Sequence, residues 1–169
     1  MKTVLTTLAL LSATAVSRLV GQGDSQHTRK TLAGVKGVCV AVEPIKEDAE
    51  RDGLGRDQVN TDVELKLRQA GVTVLTQEQA LSSAGAVYLH VNVHTLKSTQ
   101  GDLYAYDVHL EVHQPVRLIR DPTVAALAAT WSVGSLGLAG AERLRSVRDI
   151  VRDQTDQFIN AYLAANPKR

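Results

Sequence analysis

The sequence predicts an α+β domain: a mixed β-sheet of about five strands, in the order β-α-β-α-β-β-β-α, with two main helices packed on one face. Three observations predict it. Residues 88–113 sort onto two faces with period two, residues 38–75 read strand–helix–strand, and residues 141–165 carry an apolar stripe too wide to face water.

The elements follow in order. Val38-Cys39-Val40-Ala41-Val42 is apolar throughout and rich in β-branched residues, as a buried central strand should be. Glu43 to Gly55 is charged and punctuated by Pro44, Gly53 and Gly55, so it reads as a loop. Over 56–70, Val59, Val63 and Leu67 recur at i, i+4 on one helical face. Gly55 or Asp57 caps that helix, and Gly71 ends it in the left-handed conformation. Val72-Thr73-Val74-Leu75 is a short second strand, parallel to the first. Thr76-Gln77-Glu78-Gln79 forms a capping box that opens a short helix through Leu81.

Placing Gln100-Gly101 at the tip of a two-residue hairpin fixes one register for 88–113. Its dry face pairs Val93 with Val108, Val91 with Leu110 and Leu89 with Val112. Its wet face pairs His94 with Asp107, Asn92 with His109, His90 with Glu111 and Tyr88 with His113, and so holds four of the five histidines. Tyr104 and Tyr106 share the dry parity and reach the core or its rim. Pro115 is expected to limit pairing, and Asp121-Pro122 to mark a turn. Ala125–Val133 adds a strand, while Gly134–Gly140, with three glycines, is expected to be a flexible connector or a bend. The last helix, 141–165, carries Leu144, Val147, Val151, Phe158 and Tyr162 on one stripe, widened by Ile150, Ile159 and Leu163. Asn166-Pro167 ends it. Its Arg145–Asp149 and Arg152–Asp156 spacings predict i, i+4 pairs on a solvated face.

The amino terminus reads as an export signal. Met1-Lys2 supplies a basic start, Val4–Leu11 an apolar run, and either Ala13-Thr14-Ala15 or Gly21-Gln22-Gly23 a small-x-small exit. The run is shorter than the roughly 20 apolar residues that a membrane-spanning helix needs. The expected organisation is a signal peptide over 1–23, a mobile lead-in over 24–34 and one α+β domain over 35–169. An exported chain, periplasmic or secreted, with no transmembrane segment after processing follows from that. The net charge of +1 lacks the basic excess of a nucleic-acid binder. The single cysteine, Cys39, cannot form an internal disulfide and reads as a buried, inert thiol.

From Val38-Cys39-Val40-Ala41-Val42 to the helix ending Tyr162-Leu163, the order of elements resembles the TolB amino-terminal domain and related outer-membrane accessory lipoproteins. The resemblance implies an accessory or docking role in the cell envelope and no catalysis. The chain departs from the lipoproteins in having no cysteine near either export exit.

The chemistry-bearing residues gather on the wet hairpin face. Tyr88, His90, Asn92, His94, Asp107, His109, Glu111 and His113 form an expected surface for a protein or envelope component. The same face admits a zinc or copper site as the alternative, with His90, His94, His109 and Glu111 as ligands, because neutral imidazoles and carboxylates bind such ions. Otherwise no cofactor is expected. There is no Gly-x-Ser-x-Gly elbow, phosphate-binding loop or dinucleotide fingerprint. The scattered Asp and Glu leave a two-carboxylate hydrolase as a second alternative.

Overall fold

The computed structural model describes residues 23–167. The strands β2 (Ala86–Lys97) and β3 (Leu103–Leu118) pair antiparallel in the expected register, from Tyr88 opposite His113 to His94 opposite Asp107 and on to Lys97 opposite Tyr104. The tip is wider than two residues. The Gly101 N–H donates to the Ser98 carbonyl (3.0 Å) and the Ser98 N–H to Leu103 (2.7 Å), with Gly101 at φ +79°. Gln100-Gly101 stays at the centre, so the register is unchanged.

On one side β1 (Gly37–Val42) runs parallel to β2, and on the other β4 (Asp121–Gly140) runs antiparallel to β3, giving the order β1-β2-β3-β4. The expected fifth strand at 72–75 shrinks to one parallel bridge, Val38 with Val74. The Val38 N–H donates to Thr73 and the Leu75 N–H to Val38, both at 2.8 Å. The parallel sense expected of strand–helix–strand therefore holds, and the capping box at Thr76 and Gln79 then turns the chain into a short helix over Gln77–Ser82.

The two main helices, Arg56–Gln69 and Val147–Ala165, pack on each other and on one face of the sheet. The first buries Val59, Val63 and Leu67 and stops at Gly71, whose φ is +77°. A 3₁₀ turn, Ala141–Ser146, leads into the second, which buries Val147, Val151 and Phe158. The last helix pairs mainly across to its neighbour and once along itself, where Arg152 meets Asp149 at 3.0 Å in place of the expected Arg145–Asp149 pair. Arg148 Nε donates to Asp62 (2.9 Å), Arg152 donates to the other Asp62 oxygen (3.1 Å), and Lys66 holds Asp156 (2.7 Å). Opposite charges on the facing helix thus take the place of the expected Arg152–Asp156 pair.

Three stretches differ from the sequence expectation. Within 43–55, Glu47–Arg51 forms a helical turn on buried Ala49, and the following Asp52 accepts from Lys97 Nζ (2.6 Å) and from the Tyr104 hydroxyl (2.7 Å). Pro115 does not end β3: it pairs with Leu127, and the turn falls at Ile119-Arg120, before Asp121-Pro122. Gly134–Gly140 is strand, not connector. A side chain at Gly134 would collide with the His109 imidazole, and one at Gly137 with the Tyr106 ring, so these glycines make room for cross-strand aromatic groups.

Of the expected signal peptide, all but Gly23 lies outside the described residues. In the lead-in, Ser25 and Thr28 form a capping box over the short helix Gln26–Lys30. Asp24 takes both Arg29 nitrogens at 2.6 Å and the Trp131 indole N–H at 2.9 Å. Arg29, with help from Trp131, holds the Asp24 carboxyl below its usual range against the opposing effect of burial. A depressed folded-state pKa contributes stability above the unfolded value and loses it as pH falls through the folded one. Asp24→Asn, which keeps an oxygen for Trp131, is therefore expected to cost about 1–2 kcal/mol at neutral pH. That deficit should begin to shrink as the pH drops below about 4 and vanish only below the depressed folded-state pKa, measured by urea unfolding of both proteins across the pH range.

Candidate functional site

Strand alternation divides the sheet into two unlike faces. Val38, Val87, Leu89, Val91, Val93, Val108, Leu110, Val112 and Trp131 lie under the helices and are buried. The opposite face, left open by the two main helices, presents Tyr88, His90, Asn92 and His94 from β2 beside Asp107, His109, Glu111 and His113 from β3. All eight expected site residues therefore share one open surface.

Their side chains pair differently from their backbones. His109 Nε2 meets Asp107 at 3.0 Å and His113 Nε2 meets Glu111 at 3.0 Å, each along its own strand. His90 Nδ1 lies 3.4 Å from Glu43, just beyond the end of β1. Gly134 lets the His109 ring lean over β4, away from its backbone partner Asn92. The His90 and His113 rings stand 4.4 Å apart, tilted by 38°, and the Tyr88 ring lies 6.5 Å from that of His90. Exposed His94 is left opposite Asp107, whose carboxylate already faces His109.

For metal binding this arrangement is dispersed. The histidines are distributed among three carboxylates, and among the described residues no three His, Cys, Asp or Glu side chains converge on one point. His90, His94, His109 and Glu111 share the face without forming a common first shell of ligands.

A cleft of about 540 Å³ opens where this face meets the β1 edge, lined by Cys39, Tyr88 and His90, by Arg56 and Glu64 of the first main helix, and by Leu127 of β4. Leu127 arrives there because β3 and β4 continue past His113 as a two-stranded arm. A bulge at Thr130 bends the arm, and Gln114 Nε2 donates to the Thr130 hydroxyl at 2.7 Å. Cys39 is 6% exposed, and burial, followed by the Glu64 carboxylate, pushes its thiol pKa up, the opposite of an activated nucleophile.

Sequence reasoning missed two features of this surface. One is the length of the arm: Ala125–Val133 was expected as strand, but its pairing with β3 past Pro115 and its start at Asp121 were not. The other is the leucine end of the open face, where Leu96, Leu103, Leu136 and Leu138 are exposed around Ala105. The period-two rule applied through Gly140 would have found it.

No protein-family model matches the chain, and no curated protein matches it. Among solved structures it is similar to PelC dodecamers from Paraburkholderia phytofirmans. One shows 14% identity, 77% of this chain and 90% of that chain covered, and a TM-score of 0.43. In a second crystal form the values are 17%, 81%, 91% and 0.41. It is also similar to rare lipoprotein B from Shewanella oneidensis, at 10% identity over 75% of this chain and 94% of that one, with a TM-score of 0.37. These are likenesses of coarse chain path. Among the described residues no helix is long and apolar enough to cross a membrane.

Gly134→Ala is expected to push the His109 ring off β4 and break its pairing with Asp107, because the collision is with the end of a movable side chain. The melting temperature should fall by no more than about 4 °C. The His109 ring resonances in NMR spectra should shift while those of His113 stay in place.

Proposed function

We propose that this chain is an exported, noncatalytic binding domain of the cell envelope whose open sheet face contacts a protein or another envelope component. One observation carries it: the two main helices cover one face of the sheet, and the face they leave open holds four histidines and Tyr88 beside the cleft. A face built only for solvation would not need aromatic side chains grouped this way, since tyrosine and stacked imidazoles are contact-forming groups. Export is supported by the basic, apolar and small segments in turn over 1–23.

The His90→Ala/His109→Ala double variant tests the proposal. Both side chains are partly exposed and leave the dry face intact, so the fold is expected to persist. A photo-crosslinker at Asn92 should capture one defined envelope component from intact cells, and the double variant should reduce that product by about tenfold or more. Undiminished capture by the folded double variant would sink the proposal.

Zinc or copper added to chelator-stripped protein separates the alternative. A ligand of the folded state raises the unfolding temperature in a saturable way. No shift is expected. A saturable shift abolished by the double variant would replace docking with metal binding.

A further inference from the structure

We infer that two copies of this chain pair through the outer edge of β4, antiparallel about a two-fold axis at Gly137, and join their four-stranded sheets into one.

Backbone parity supplies the first argument. The Ala141 N–H donates inward to Asp102, and the Ser132 N–H points away from β3 to the Gly23 carbonyl (3.4 Å). In an antiparallel ladder, inward and outward residues alternate. Gly134, Leu136 and Leu138 therefore turn their N–H and C=O groups outward, as Gly140 does its N–H, and none of these groups finds a backbone partner among the described residues, while the Gly140 carbonyl caps the 3₁₀ turn. This open window is bounded by Gly23 at Ser132 and by the 3₁₀ turn that begins at Ala141. Its midpoint is Gly137, so a two-fold axis there pairs the whole window with itself.

The sequence of the edge supplies the second. Natural sheet edges are protected by charge, proline, shortness or a covering segment. From Pro122 to Ala141 there is no charged residue, and no proline follows Pro122. The opposite edge is treated differently: Val74 bridges β1 at Val38, and Arg56 Nε donates to the Val42 carbonyl at 2.8 Å.

Side chains argue for a second copy rather than a foreign strand. Leu136 and Leu138 are 81% and 68% exposed on the open face. In the two-fold pairing each Leu136 stands opposite the second copy's Leu138, so both leucine pairs form at once and no charges meet inside the window. On the helix side Ser135 meets Ala139, two small residues that do not collide. The stripe continues through Ala105 to Leu96, the cross-strand neighbours of Leu138. Seven residues of edge and a few leucines bury less than a standard interface of about 1,600 Å², so the dimer is reversible and depends on concentration.

Sedimentation velocity on the chain freed of its export segment, over about three decades of concentration, tests this. The mass is expected to rise from one chain to two and stop there. Leu136→Lys should hold the protein monomeric with its melting temperature preserved. Leu138→Pro should do the same, because that N–H points outward and no ladder bond with β3 is lost; should this variant unfold, Leu136→Lys decides alone. Hydrogen exchange at the Leu136 and Leu138 amides should slow only at concentrations where the dimer forms. A monomer at every concentration overturns the inference. So does growth beyond two chains, a dimer that folded Leu136→Lys still forms, or protection of those amides in the monomer.

Discussion

Everything in this fold depends on the register of the β2–β3 hairpin. Side chains alternate along a strand, so slipping one strand by one residue would turn either Leu89, Val91 and Val93 or Val108, Leu110 and Val112 to water and drive two histidines beneath the helices. At about 1.5–3 kcal/mol for each buried aliphatic side chain, the slip costs roughly 5–9 kcal/mol. That is comparable to the whole stability of a domain, roughly 5–15 kcal/mol. The dry stripe so fixed is what both main helices pack on. The wet face is its necessary complement, and the histidine surface is thus a consequence of how the core is held.

Polar ties at the periphery then fasten segments that the core alone would leave loose. Asp62 is 12% exposed on its side chain and takes two arginines, which locks the two main helices in register with each other. Removing it would take one partner from each arginine, but both are partly exposed and keep another, Gln58 for Arg148 and Asp149 for Arg152. Lys66–Asp156 is more exposed and contributes less. Asp24 fastens the amino-terminal turn to Trp131, which itself packs edge-on against Phe158 with ring centroids 5.5 Å apart. Asp52 fastens the turn after β1 to Lys97 and Tyr104. Lys97 lowers the Asp52 pKa most, with Tyr104 second, while burial leads in raising that of Tyr104.

The parts legible in the sequence were those where one physical period dominates. Val59, Val63 and Leu67 announce a helix, and Val91, Val93, Val108 and Leu110 a strand pair, because burial selects apolar residues at 3.6 and at 2. Gly71 was legible because few residues but glycine tolerate its φ of +77°. β4 was only half legible. Gly134 and Gly137 look like breakers in one dimension, yet in the sheet they lie under His109 and Tyr106, and a strand can contain glycine where a neighbour's ring supplies the packing. The lone Val74 bridge stood for a whole strand because four apolar residues fit a strand equally well whether one pairs or four. In the candidate site, position was legible and pairing was not. Cα register placed His94 opposite Asp107, but the side chains chose their own strand neighbours, which no pattern of letters encodes.

The open face is not uniform, and its gradient separates what folding requires from what it does not. Its histidine half is stable when wet in the free chain, since each imidazole except that of His94 lies near a carboxylate, and it can still exchange that water for a partner. Its leucine half has no such support. A leucine that remains 81% exposed gains almost nothing when the chain folds, and single exposed leucines are ordinary. Leu96, Leu103, Leu136 and Leu138 are not single, however. Cross-strand pairing gathers them around Ala105 on one face, at the end of the sheet where β4 is least covered. An apolar cluster at an uncharged edge is the arrangement that proteins ordinarily avoid when nothing binds there. The monomer's own stability therefore leaves the leucine end unexplained, and its explanation belongs to contacts beyond one chain.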